Sequence, residues 1–114
     1  EETHREHLAR AQEILEDFFG NPVLTFVPPG NVFSKKTVAA AAKVGIRYLS
    51  WRDAARWGPA EGVTFVDHSK VVAIHDRDLV LGGLEPLRRL LLDRQGEPFV
   101  TVREVGARIE GGQE

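Results

Sequence analysis

The sequence predicts an α/β fold built on a mainly parallel sheet with covering helices. Helix-like and strand-like segments alternate along the chain, and the strand-like ones (23–27, 46–49, 63–66 and 71–74) are apolar runs without polar alternation. Strands of that kind are covered by helices on both faces. With 114 residues, 42% hydrophobic and 28% charged, the chain can build a core as one domain or part of one. Four or five strands are too few for a closed eight-fold barrel, which leaves a small open sheet or the later half of a barrel.

The elements follow from local signals. Thr3-His4-Arg5-Glu6 reads as a capping box, with Thr3 as N-cap. The helix after it places Leu8, Ala11, Leu15 and Phe18 on one face, joined by Ile14 and Phe19, and stops at Gly20-Asn21-Pro22. Val23 to Val27 is a short strand closed by the turn Pro28-Pro29-Gly30-Asn31. Ser34 to Lys43 is an alanine-rich helix with Gly45 at its end, followed by the strand Ile46 to Leu49. Ser50-Trp51-Arg52-Asp53 reads as the start of a short helix ending at Gly58-Pro59. Val63 to Val66 and Val71 to Ile74 are strands separated by Asp67-His68-Ser69-Lys70. A helix from Gly83 to Asp93 buries Leu84, Leu87, Leu90 and Leu91. Phe99-Val100 is a last strand, and Thr101-Val102-Arg103-Glu104 caps a helix reaching Ile109.

Composition narrows the function classes. A net charge of −2 with dispersed basic residues gives no nucleic-acid footprint. No apolar run approaches a membrane span, and no stretch reads as a signal peptide. The absence of cysteine removes disulfides, thiolate nucleophiles and cysteine zinc sites. There is no methionine either, even at position 1, so the chain reads as processed or as a piece of a longer protein.

The most informative stretch is Val72-Ala73-Ile74-His75-Asp76-Arg77-Asp78-Leu79. An apolar strand that delivers His75 and Asp76 at its carboxyl end, before a helix, is a candidate site, because ligands of parallel α/β proteins gather at that edge. The ordinary reading is a strand-end histidine and an N-cap aspartate. His4 and His7 sit three apart in the first helical turn, where a metal could bridge them, or where both are simply solvated. Trp51 and Trp57 follow a strand, where aromatic rings can stack on sugars or merely pack. His68, Arg77 and the Arg88-Arg89 pair read as solvated charges.

Taken in order, the segments Phe26-Val27-Pro28-Pro29-Gly30-Asn31, Ala40-Ala41-Ala42-Lys43-Val44-Gly45-Ile46-Arg47-Tyr48, Ile74-His75-Asp76 and Phe99-Val100-Thr101 with Glu104-Val105 carry a resemblance. The chain resembles the carboxyl-terminal half of the polysaccharide deacetylase (NodB-homology) family. Those proteins are distorted (β/α) barrels that use a divalent metal to hydrolyse N- or O-acetyl groups on sugars. The resemblance implies the later half of such a barrel, an incomplete domain over residues 1–114 lacking its amino-terminal strands. It also implies a hydrolase of acetylated carbohydrate with a divalent metal, zinc in the first instance.

By the same resemblance His75 is the general acid, suited by an unperturbed pKa near neutrality. Proximity alone makes Asp76 its orienting residue, with Asp78 also within reach. Pro29, Gly30, Asn31 and Trp51 would contact substrate, and His4, preceded by Thr3, matches the second histidine of the family's His-x-x-x-His metal motif.

The chain departs from the family in two places. Val27 stands where an arginine often precedes Pro-Pro, and nothing corresponds to the upstream aspartate pair that supplies the base and a metal ligand. Asp17, Asp53 and Asp67 are present but lack the required company. The implied partners are the sugar and either a missing amino-terminal half or a second chain. The alternatives are a non-catalytic carbohydrate- or protein-binding α/β domain and a small flavodoxin-like or receiver-like domain.

Overall fold

The computed structural model describes residues 2–28, 34–52, 62–67 and 71–112. In chain order these form α1 (Glu2–Phe19), β1 (Thr25–Phe26), α2 (Lys35–Lys43), β2 (Tyr48–Trp51), β3 (Thr64–Asp67), α3 (Asp76–Gly82), α4 (Glu85–Asp93) and α5 (Val102–Glu110). The sheet has order β1-β2-β3 and is parallel throughout, with Thr25 beside Tyr48, Phe26 beside Leu49, and Tyr48 to Trp51 beside Thr64 to Asp67. It is an open sheet; no barrel closure is shown among the described residues.

Local chemistry explains α2 well. Ser34 is its N-cap: the Thr37 N–H donates to the Ser34 hydroxyl at 3.4 Å, and the Ser34 N–H donates to the Thr37 hydroxyl at 3.2 Å. At the other end Gly45 adopts φ 86°, which lets its N–H reach the Ala42 carbonyl while the Ile46 N–H reaches that of Ala41. That pair of bonds closes the helix in a Schellman motif, which only glycine enters at little steric cost.

The alternation of side chains across the strands divides the sheet into two faces. Leu49, Trp51, Phe65 and Phe26 share one face and pack with Val38 and Ala42 of α2 and with Val63. Tyr48, Ser50, Thr64 and Val66 share the other, which α5 covers. Leu49 and Val66 are fully buried; truncating a residue placed like Leu49 to alanine costs on the order of 2–5 kcal/mol. Against the second face, Gly106 of α5 lies directly on the Tyr48 ring.

Several expectations are corrected. Residues 71–74 and 98–100 join no ladder, so the strands expected at 71–74 and 99–100 do not form. A continuous apolar run does not name its partner strand, and here Val72, Ile74, Phe99 and Val100 stay exposed, the two segments facing α4 across an open cleft. Thr3 lies within the first turn of α1, which begins at Glu2, and so is not its N-cap. The helix also turns a different face inward. Leu8, Gln12 and Glu16 are half-buried while Ala11, Ile14, Leu15 and Phe18 are exposed.

Two polar side chains hold that orientation. The Gln12 amide donates to the Val23 carbonyl at 3.0 Å, and the Val23 N–H donates to the Glu16 carboxylate at 3.4 Å. The helix expected from Gly83 is α4, which begins at Glu85 after the separate short helix α3; it buries none of its leucines, Leu87 and Leu90 being half-buried and Leu84 and Leu91 exposed. Ser50 and Trp51, expected to begin a short helix, belong to β2 instead, and the rest of that expected helix, from Asp53, lies outside the described residues. Among the described residues, no helix is long and apolar enough to cross a membrane.

Candidate functional site

The carboxyl edge of the parallel sheet is where the fold gathers candidate residues. Val27 and the buried Pro28 follow β1, Trp51 ends β2, and Asp67 ends β3 directly beside Trp51 in the register. The α2 N-terminus opens on the same side, since α2 follows β1. His4 joins it from α1, its Nδ1 3.3 Å from the Thr37 hydroxyl in the first turn of α2. Trp51 is half-buried and packs on the core cluster, so packing accounts for much of its ring. Pro29, Gly30 and Asn31 lie outside the described residues, as do Asp53, Trp57 and His68.

His75 stands apart from this edge. Because 71–74 is not a strand, His75 ends no sheet element; it is the N-cap of α3. The carboxylate beside it is that of Asp78, which accepts from the His75 N–H at 3.2 Å and lies 3.4 Å from Nδ1. Asp76 is engaged elsewhere, its Oδ1 accepting from the Arg77 N–H at 2.8 Å. The orienting role expected of Asp76 is therefore geometrically that of Asp78. Both side chains of the pair are open to solvent, 59% and 54% exposed, and such a pair contributes roughly 0–1 kcal/mol.

Among the described residues, no group of three or more histidine, aspartate or glutamate side chains is arranged to hold a metal. His4 has one ring nitrogen turned to Thr37 and would bring a single ligand through the other. The described residues do not by themselves fit the divalent metal that the sequence suggests.

A second feature was not legible in the sequence. At the amino end of the sheet, the Glu110 carboxylate receives Arg47 Nη2 at 2.9 Å and the Tyr48 hydroxyl at 3.3 Å on Oε2, and the Thr64 hydroxyl at 3.1 Å on Oε1. The Arg47 guanidinium also lies 5.5 Å from the Tyr48 ring centre. This cluster ties the last residue of α5 to β2 and β3. Its position opposite the carboxyl edge marks it as a stabilising lock. The one available signal was Gly106, a glycine inside a helical pattern, which often marks close packing.

The start of α5 carries the perturbed carboxylate. The Thr101 N–H and then the Thr101 hydroxyl donate to Glu104, holding its carboxyl below the usual glutamate value, with Arg108 adding to the effect. Elsewhere, a cleft of about 310 Å³ opens between residues 71–74, α4 and residues 98–105, lined mainly by Val72, Ile74, Leu90, Leu91, Phe99 and Val105. The Arg94–Glu97 pair, 3.3 Å apart, stands at its rim.

Comparison with family models, curated proteins and solved structures returns no match to this chain.

Proposed function

We propose that the chain is the later part of a deacetylase-type α/β domain that handles acetylated carbohydrate, and that its sugar contacts lie at the carboxyl edge of the sheet. The observation that supports this reading is the parallel β-α-β order that brings Pro28, Trp51 and Asp67 to one edge, beside His4 and the α2 N-terminus. Ligands of parallel α/β folds bind at that edge. In this reading the chain is half of a distorted barrel, and zinc, with His4 as one ligand, is completed by groups beyond the described residues. His75 remains the candidate general acid by resemblance, oriented by Asp78. The described residues do not by themselves assemble the metal site.

A second reading is a non-catalytic carbohydrate- or protein-binding domain. It is favoured by the solvent-open His75 and by the lack of a three-ligand cluster among the described residues.

The test is an amide NMR titration with oligomers of N-acetylglucosamine, with and without Zn²⁺, together with an assay for released acetate. Shifts centred on Val27, Arg52 and Asp67 that strengthen with Zn²⁺, without acetate release by this chain alone, support the first reading. Zinc-independent shifts at the same residues favour the second. No shifts at millimolar sugar, or shifts confined to α3, overturn the placement of the site.

A further inference from the structure

Helix α1 exposes an apolar stripe that its own fold leaves uncovered. Ala11, Ile14, Leu15 and Phe18 fall at the spacing of one helical face, and Phe18 is 80% exposed with its ring edge-on to that of Phe19, centroids 4.9 Å apart. The face that α1 turns to the body is the more polar line through Leu8, Gln12 and Glu16. An amphipathic helix orients its apolar stripe toward a packing partner. We propose that this partner is a second copy of the chain, docked by an antiparallel α1–α1 pairing about a two-fold axis.

Two observations select a second copy. The first is charge. Arg10 and Asp17 are seven residues apart and so flank the stripe on the same side. Neither is held in an ion pair among the described residues. A two-fold axis near the middle of the stripe brings each Arg10 toward the partner's Asp17 and sets the small Ala11 against the large Phe18 of the partner subunit. An isologous interface requires this self-complementarity, in which residue i meets j and j meets i. A parallel pairing would set like residues side by side.

The longer of the other helices that expose apolar side chains, α4, lacks this device. Its Glu85 already pairs with Arg88 at 3.4 Å and Arg89 at 3.5 Å within the helix.

The second observation is area. A folded monomer of this mass, 12.7 kDa, exposes about 6,200 Å², whereas this chain exposes 8316 Å². The surplus, roughly 2,000 Å², is spread over the whole chain and the α1 stripe supplies part of it; it leaves room for the roughly 1,000–2,500 Å² that each subunit of an obligate homodimer buries.

Sedimentation equilibrium of the full chain across micromolar to sub-millimolar concentration tests the proposal, with circular dichroism confirming the fold of each variant. The wild type should reach twice the 12.7 kDa monomer mass. Arg10→Asp alone, or Asp17→Arg alone, turns two attractive contacts into two repulsive ones and should weaken the dimer about ten-fold. The double variant Arg10→Asp/Asp17→Arg should restore it. A monomer throughout the range overturns the proposal. So does a dimer indifferent to the single reversals, or one abolished by Leu84→Ser in place of the α1 variants.

Discussion

Replacing Gly106 by alanine sets two effects against each other, and the structure decides which wins. In an isolated helix the change favours folding by about 1 kcal/mol, because glycine is the poorer helix former. Here the added methyl would overlap Cδ1 of Tyr48 and stand 2.5 Å from Cε1 and 2.9 Å from Cγ. The ring has little freedom to yield. Tyr48 is 2% exposed, and its hydroxyl is bound to Glu110.

Forcing a methyl into a packed contact of this kind costs roughly 1–3 kcal/mol, occasionally more. With three atoms of the Tyr48 ring overlapped, the cost falls in the upper half of that range, so the clash outweighs the helical gain and Gly106→Ala should lower stability by about 1–2 kcal/mol net. Urea denaturation followed by far-ultraviolet circular dichroism reads this directly, as a fall in midpoint without a change in slope. The control reverses the sign: in a Tyr48→Ala background the overlap is gone, and the same Gly106→Ala change should stabilise. A Gly106→Ala variant as stable as the parent would refute the packing of α5 on β2.

Two further predictions concern the same helix. Glu110→Ala removes the common acceptor for Arg47, Tyr48 and Thr64. Because the carboxylate is 32% exposed, the loss should be modest, on the order of 1–2 kcal/mol, and should appear as faster amide exchange in the last turn of α5. Acid should loosen the other end. The folded-state pKa of Glu104 is lowered, so its contribution is present above the unfolded value and is lost as pH falls through the folded one. Glu104→Gln should therefore flatten the acid limb of a stability-versus-pH curve, and an unchanged acid limb would contradict the capping geometry.

The sequence carried the local part of this structure well. Gly45 and the Thr101/Glu104 pair each act on residues within a few positions and form the helix end and cap expected of them, while Ser34, expected as the first residue of its helix, is the N-cap. The parallel sheet was legible for a related reason: apolar runs such as 46–49 have two faces to cover, and α2 and α5 cover those of β2, although β2 itself runs two residues further, through Ser50 and Trp51.

What failed was choice of partner. The apolar run 71–74 forms a strand only where a neighbouring strand pairs with it, which tertiary contacts decide, and here Val72 and Ile74 stay exposed. His75 moved with it, from a strand end to the cap of α3. In α1 the apolar stripe was correctly located, but Gln12 and Glu16 find their bonds at Val23 and turn the stripe outward. The Glu110 cluster joins residues 46 to 63 positions apart, and no local pattern encodes that.

The most direct test of the account is amide hydrogen exchange across the sheet and the segment after it. The three-stranded arrangement predicts strong protection at Leu49, Ser50 and Val66 and fast exchange at Val72, Ala73 and Ile74, whose amides join no ladder. Protection of residues 72–74 equal to that of β2 would contradict it, establishing a fourth strand and returning His75 to a strand end.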